Sequence, residues 1–295
     1  MWATLLLPLD ADDTIDFVRL EAQLDHLTKA GVDGLYVHGT AGEFQTLTEG
    51  EYDRINDLLA ARTDLPFQIG ASHPSAQLQL DRVRRAAALR PSAIQVILPD
   101  WLPLSAGEAL AFLDRVAQAA GGVPLVLYNP PHAKTQVWPE QLTDLARAVP
   151  ALIGLKSAGG DAEWFARARE SGLSLFVPGH FLASMTPLGA DGSYSNVAAL
   201  SPAGSVRWYE LIEADHRAAL DVERRIAEFF AGHIAPLQAR GLSNPALDKF
   251  LAAVGGWADA GTRVRWPMAF ADPELVGPAR VTAQRLLPEL DEGNW

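Results

Sequence analysis

Short apolar runs alternate with helical patterns along the first 220 or so residues of the chain. Between the runs, apolar residues recur at helical spacing, as at Phe17, Leu20, Leu24 and Leu27. The pattern predicts eight strands, each followed by a helix, although the last, DGSYSN, is polar and is assigned partly because the count requires it. The runs occupy residues 2–7, 34–38, 66–71, 93–98, 123–128, 151–156, 173–178 and 190–196.

This alternation predicts an α/β fold. Continuous apolar strands that alternate with helices are typical of a parallel sheet covered on both faces. Eight units favour a (β/α)8 TIM barrel over a doubly wound sheet, which usually has five or six strands and a G-x-G-x-x-G segment after the first; no such segment follows a strand here. After about residue 220 only helical patterns continue. We therefore predict a barrel over residues 1–220 and a helical C-terminal extension over residues 221–295, packed on the barrel or on a partner subunit.

Composition and charge narrow the class of protein. The 295 residues are 48% apolar and 20% charged, as in ordinary globular proteins. A formal charge of −12 argues against nucleic-acid binding and gives no reason to expect an anionic membrane partner. The absence of cysteine excludes disulfides, iron–sulfur clusters and thiol chemistry. The N-terminus does not resemble a signal peptide, and no apolar run reaches the roughly 20 residues of a membrane span, so we expect a cytoplasmic protein.

The four lysines of the chain differ in their surroundings. Lys29 lies at the end of a predicted helix, Lys134 in a Pro-rich loop and Lys249 in a polar helical stretch, so each is expected to reach water. Lys156 alone follows directly on an apolar run, ALIGL, where burial of a charged amine is costly. Barrel enzymes carry their chemistry at the C-terminal ends of the strands, which is where Lys156 lies.

Lys156 and Tyr128 end adjacent predicted strands and are expected to point into one cavity. A desolvated lysine has a lowered pKa and can attack a ketone to form a Schiff base, which then acts as an electron sink. A neighbouring tyrosine can transfer protons during the reaction. Backbone N–H groups of the loop Gly39–Gly42 can hold a carboxylate, because glycine allows close approach. These parts predict a 2-oxo acid aldolase that needs no cofactor.

Three motifs resemble one known family. GVDGLYVHGTAGEFQTLT, VPLVLYNPP and ALIGLKSAGG, in this order, are similar to the dihydrodipicolinate synthase and N-acetylneuraminate lyase family of class I pyruvate lyases. The resemblance implies that Lys156 forms the Schiff base, that Tyr128 exchanges protons with the substrate and that Thr40 belongs to the proton relay. It also implies that the site is lined by Gly39, Ala41, Gly179 and Tyr194, and that the protein is a homo-oligomer, commonly a tetramer.

Departures from the family pattern bear on the substrate. Ala41 replaces a second hydroxyl residue that helps to bind the pyruvate carboxylate. Trp101 replaces a tyrosine that, in the synthases, enters the relay of the neighbouring subunit, and the register leaves Ala133 or Lys134 where the synthases carry an arginine for the aldehyde's carboxylate. We therefore prefer a lyase acting on another 2-oxo acid, such as a sugar-derived one, with His38 and His132 supplying polar contacts. Dihydrodipicolinate synthesis remains the alternative.

Other interpretations remain beside this one. Lys156 could be a buried structural lysine paired with Glu43 or Asp191, although for Glu43 we favour a purely structural role in the loop. Histidines at the strand ends would also suit a metal-dependent hydrolase, but they lack metal-binding spacing, and we predict no metal site. A third alternative is a non-catalytic sensor or scaffold of the same fold, which the loss of the tyrosine relay and Ala41 would suit.

Overall fold

Eight parallel strands form a closed barrel in the computed structural model, which describes residues 1–293 and 295. Neighbouring strands pair in chain order, and the pairing of Trp2 with Tyr194 closes the barrel between the first and last strands. Each strand lies within or beside a predicted apolar run, including the polar eighth one. The strands are β1 (Trp2–Thr4), β2 (Gly34–Val37), β3 (Phe67–Gly70), β4 (Ala93–Val96), β5 (Leu125–Asn129), β6 (Leu152–Ser157), β7 (Ser174–Pro178) and β8 (Gly192–Tyr194).

Helices alternate with these strands, so the (β/α)8 prediction is confirmed. Local signals set several helix starts: Thr48 with Glu51, and Ser105 with Glu108, form capping boxes. The described α-helices are α1 (Phe17–Lys29), α2 (Glu49–Arg62), α3 (Ala76–Ala88), α4 (Ala106–Ala120), α5 (Pro139–Ala148), α6 (Ala162–Arg169), α7 (Leu182–Met185), α8 (Val197–Leu200), α9 (Pro202–Ala214), α10 (His216–His233), α11 (Ala235–Ala239), α12 (Asn244–Gly255) and α13 (Val276–Leu286). Within the described residues, no helix combines the length and apolar character that crossing a membrane requires.

The strands divide their side chains between two hydrophobic clusters. In β2, Leu35 and Val37 belong to the large core that includes the surrounding helices, whereas Tyr36 between them belongs to a small cluster with Tyr194 of β8. This division follows from the two-residue period of a strand, which turns alternate side chains to opposite faces. The small cluster lies inside the barrel and includes the tyrosines Tyr36 and Tyr194, whose hydroxyl groups are polar.

The chain after the eighth strand is helical, as predicted. Helix α10 packs against α9 and α7, α12 packs against α8, and α13 packs against both α10 and α12. The boundary that we predicted after residue 220 falls inside α10, which begins at His216. We therefore propose that the extension starts with α10 rather than within it.

Candidate active site

Lys156 lies among three tyrosine rings at the C-terminal end of β6. Its backbone pairs with Tyr128 of β5 on one side. Its Nζ atom lies 4.2 Å from the ring centroid of Tyr128, 4.6 Å from that of Tyr194 and 5.2 Å from that of Tyr36. The two side chains that sequence analysis paired, Lys156 and Tyr128, thus meet in the barrel mouth.

Burial in this aromatic setting changes the acidity of Lys156. Desolvation lowers the pKa of the amine to about 8, and the opposing effect of the nearby Asp248 carboxylate is smaller. At pH 7 about one lysine in ten would then carry the neutral amine, which is the nucleophilic form. A surface lysine with an ordinary pKa near 10.4 would be neutral in fewer than about one molecule in a thousand.

The hydroxyl groups of the three tyrosines have different partners. The Tyr36 hydroxyl donates a hydrogen bond to Gln95, and the Tyr194 hydroxyl donates one to Gln68, so both phenols are held by buried amide oxygens. The Tyr128 hydroxyl instead has the Thr40 hydroxyl as its neighbour, and burial raises the pKa of Tyr128. Tyr128 is therefore a neutral phenol beside the amine, and it lines the cavity.

The loop after β2 brings backbone donors to the same cavity. Thr40 and Ala41 line it, and within the described residues neither of their backbone N–H groups donates to a protein acceptor. Gly39 permits this loop path, since a Cβ atom there would lie 2.4 Å from the Tyr36 ring. Gly39 thus lets the loop pass close to the Tyr36 ring and is not itself among the described lining residues. The free N–H groups of Thr40 and Ala41 suit a carboxylate.

Of Gly179 and Tyr194, both expected to line the site, only Tyr194 is among the described lining residues. Tyr194 lines it through its ring. Gly179 follows β7 and lets the chain pass close to Ser195, because a Cβ atom on Gly179 would lie 2.4 Å from the Ser195 hydroxyl. In this structure Gly179 therefore shapes the wall through its backbone.

The two histidines that we expected to select the substrate lie elsewhere. His38 is buried, its Nε2 atom lies 2.9 Å from the Asn56 side chain, and its ring packs 4.4 Å from that of Tyr52. Burial lowers the pKa of His38 to about 3, which keeps this packed ring neutral. His132 is exposed and lines a second cavity, of about 420 Å³, on the other side of Tyr128. Neither histidine lines the cavity of Lys156.

The extension forms the outer wall of the main cavity, whose volume is about 470 Å³. Helix α10 contributes Phe230, and α12 contributes Asp248, a carboxylate that sequence analysis did not select. Burial raises the pKa of Asp248 to about 7, against a smaller opposing effect of Lys156. From the barrel, the ring of His180 lies against Phe230, and its Nδ1 atom lies 2.8 Å from the Asn196 amide nitrogen. Described lining residues beyond those named so far include Trp2, Thr4, Pro131, Ser157, Ala158, Pro178, Phe181, Ala227, Ala231, Ile234, Ala235, Gln238, Asn244, Leu247 and Leu251.

A buried ion pair fixes the extension to the loop of Thr40. Lys249 is fully buried and its amine lies 2.5 Å from the Glu43 carboxylate, whose other oxygen accepts the Arg265 backbone N–H at 2.8 Å. Our expectation that Lys249 reaches water was wrong, because α12 turns it toward the barrel. The structural role favoured for Glu43 agrees with these contacts. Glu43 pairs with Lys249 and not with Lys156, while Asp191 pairs with Arg169.

Comparisons with known proteins show which family the chain belongs to. The model of the Dihydrodipicolinate synthetase family matches residues 1–275. A 4-hydroxy-tetrahydrodipicolinate synthase from Xylella fastidiosa is 29% identical over 238 residues, 77% of each chain. A protein of the same name from Salinibacter ruber is 28% identical and covers 98% of this chain and 93% of its own.

Solved structures share the whole fold. A prophage protein of the dihydrodipicolinic acid synthase family from E. coli K12, in complex with pyruvate, superposes with a TM-score of 0.83 at 21% identity, covering 97% of both chains. The sialic acid aldolase of Ruminococcus gnavus gives a TM-score of 0.85 at 17% identity, covering 98% of this chain and 97% of its own. The protein has the fold of the class I aldolases, and the chain belongs to the dihydrodipicolinate synthetase family of lyases.

Proposed function

We propose that the protein is a class I lyase in which Lys156 forms a Schiff base with pyruvate or another 2-oxo acid and a carbon–carbon bond is then formed or cleaved. The observation that carries the proposal is the position of the Lys156 amine, 4.2 Å from the ring centroid of Tyr128 in the cavity that both residues line, together with the lowered pKa of this amine. An amine that is partly neutral near pH 7 and a neutral phenol next to it are the two groups that imine chemistry needs.

The steps follow from the placement of these groups. The neutral Lys156 amine attacks the keto carbon, and the carbinolamine loses water to give an iminium ion. Tyr128 donates its phenolic proton to the departing water and becomes a phenolate. In the cleavage direction this phenolate, with Thr40 relaying protons, takes the proton of the C4 hydroxyl, the C3–C4 bond breaks and its electron pair enters the iminium. The aldehyde leaves, the resulting enamine is protonated at C3, and water releases pyruvate and the free amine. The backbone N–H groups of Thr40 and Ala41 hold the carboxylate of the 2-oxo acid during these steps.

The aldehyde partner distinguishes the preferred function from its alternative. The Lys134 amine donates to the backbone carbonyl of Trp101 at 2.8 Å and lies over its ring, and this side chain does not line the main cavity. Among the described lining residues there is no arginine. We therefore prefer a 2-oxo acid whose aldehyde part is uncharged, such as a sugar-derived one. The names of the curated relatives favour the alternative, 4-hydroxy-tetrahydrodipicolinate synthase.

The direct test is release of pyruvate from a panel of hydroxylated 2-oxo acids, together with condensation of pyruvate with aspartate semialdehyde. We expect turnover of at least one sugar-derived 2-oxo acid, and loss of all turnover in Lys156→Ala with the fold retained by circular dichroism. Preferential turnover of aspartate semialdehyde would favour the synthase. Substantial activity in folded Lys156→Ala would overturn the proposal, and an inert wild type would favour a sensor or scaffold.

Small-molecule 2-oxo acids and aldehydes are thus the proposed partners, and we propose a homo-oligomer. The family resemblance supports this assembly, and so does the 79% exposure of Trp101, at the position where the synthases carry an interface tyrosine.

A further inference from the structure

Asp248 is a carboxylate inside the cavity with a fixed position. It lies on α12 directly before Lys249, and the buried pair of Lys249 with Glu43 holds that turn of the helix against the barrel. Asp248 has no Lys, Arg or His partner within 4.0 Å among residues 1–293 and 295. Asp248 is half-buried in the cavity wall, and an acid that is partly shielded from water without a paired cation is costly to ionise, so a hydrogen-bonding group of a ligand would stabilise it.

The charges of the main cavity are few. In the part of the lining that the structure describes, Lys156 is the only lysine or arginine and Asp248 is the only acidic residue. The remaining surface around Asp248 on α10, α11 and α12 is apolar, apart from the amides of Gln238 and Asn244. Lys156 lies at the barrel end of the cavity and Asp248 in the helical wall, so a 2-oxo acid bound to Lys156 would extend its aldehyde-derived part toward Asp248.

The wall favours some aldehydes over others. At a pH above the pKa of Asp248, a carboxylate at the end of the aldehyde would face an ionised carboxyl group with no second lysine or arginine in the described lining to pair it, and two like charges in an enclosed site repel. A hydroxyl group there would donate a hydrogen bond to the carboxylate, and such charge-assisted bonds are about twice as strong as neutral ones.

We infer that Asp248 is a specificity-determining residue that accepts a hydrogen bond from a hydroxyl group of an uncharged hydroxyaldehyde and disfavours aldehydes that carry a carboxylate. The inference rests on the proposed function and names the substrate class of the same site. It concerns the part of the substrate remote from the Schiff base, so Asp248 should govern the choice of aldehyde, and Asp248→Asn should still form the pyruvate adduct on Lys156.

The test compares two aldehydes in condensation with pyruvate, D-glyceraldehyde and succinic semialdehyde, for the wild type and Asp248→Asn. We expect the wild type to favour glyceraldehyde in kcat/KM, and Asp248→Asn to reduce that preference about tenfold or more, because the amide can donate to a carboxylate and accepts hydroxyls less strongly. The control Asp57→Asn makes the same charge change on the exposed face of α2 and should leave the ratio unchanged.

Borohydride trapping of pyruvate in each variant separates two kinds of failure. Trapping in the wild type and in Asp248→Asn with an unchanged aldehyde ratio would overturn this inference alone, as would a wild type that prefers succinic semialdehyde or condenses neither aldehyde. Loss of trapping only in Asp248→Asn would place Asp248 in imine formation and also overturn it. No trapping in the wild type would overturn the proposed function, and this inference with it.

Discussion

At the scale of single residues, Tyr128 differs from the other two tyrosines around Lys156 in what its hydroxyl contacts. Tyr36 and Tyr194 donate to buried glutamines, whereas the Tyr128 hydroxyl lies beside Thr40 at the cavity. The two glutamine-bound phenols shape the site, and Tyr128 alone of the three is placed to move protons.

Replacement of Tyr128 should therefore separate chemistry from structure. We expect Tyr128→Phe to lower kcat by about 10²-fold or more, the usual effect of removing a general acid–base group. Tyr194→Phe should instead lower the free energy of unfolding by about 1–3 kcal/mol, since it leaves Gln68 without its hydrogen bond. Steady-state kinetics and urea denaturation of both variants measure these effects. Equal rates for the wild type and Tyr128→Phe would remove Tyr128 from the proposed mechanism.

Asp248 should set the pH dependence of imine formation. Its carboxylate raises the pKa of Lys156, so Asp248→Asn should lower that pKa below its present value of about 8. More of the amine is then neutral at pH 7, and the rise of the trapping rate with pH should move to lower pH. Asp57→Asn is again the control. A profile that is unchanged, or moved to higher pH, would contradict the electrostatic link between the two residues.

Apart from Asp248, the other ionisable groups with shifted pKa values at this site do not titrate in the pH range around 8 where Lys156 does. Burial raises the pKa values of Tyr36, Tyr128 and Tyr194, and it lowers the pKa of His180 below its ordinary value of 6.5. The tyrosines stay neutral through pH 8, and His180 loses its proton below the range in which Lys156 titrates. A shift in the profile of Asp248→Asn therefore reports on the coupled pair of Asp248 and Lys156.

At the scale of elements, α12 is held in place by one buried ion pair. Glu43→Gln would leave the Lys249 amine buried without its counter-ion, and breaking such a pair typically costs about 3–5 kcal/mol. Urea denaturation should show a loss of that size. Asp144→Asn breaks the exposed pair with Arg147 and should cost about 0–1 kcal/mol. A loss in Glu43→Gln no greater than this control would contradict the anchoring role.

The elements also show which features the sequence could predict. Apolar runs bounded by turns predicted seven of the strands directly. The eighth, β8, is polar and was predicted partly because a barrel with seven such units requires an eighth strand. Lys156 and Tyr128 were identified because each ends a strand, and strand ends share one rim. These inferences depend on the period of apolar residues and on the order of the strands along the chain, both of which can be read from the sequence.

Asp248 could not be predicted in this way. It lies beside Lys249 in a stretch that the sequence presents as a polar helical segment, where an acidic residue ordinarily faces water. Its burial depends on how α12 docks, and that docking depends on a contact between Lys249 and Glu43, which are far apart in the chain. The expectation that His38 contacts the substrate was not met for a related reason. The backbone of His38 has a φ of 60°, and its ring lies against Asn56 and not in the main cavity.

At the scale of the whole molecule, the barrel and the extension each supply one part of the site. The barrel provides Lys156, the tyrosine cluster and the loop of Thr40 and Ala41, and the helices from α10 onward provide the outer wall of the cavity. The chemistry we propose thus belongs to the barrel, and the selection of the aldehyde belongs to the extension.

Borohydride trapping with pyruvate, read out by intact and peptide mass spectrometry, tests the central claim most directly. We predict one pyruvate-derived adduct per chain, located on the peptide that carries Lys156 and lost in Lys156→Ala. The other three lysines are internal controls, because Lys249 is held in its ion pair and Lys29 and Lys134 are exposed and lie outside the cavity of Lys156. A folded wild type that forms no adduct with pyruvate or longer 2-oxo acids, or forms it only on another lysine, would contradict the account.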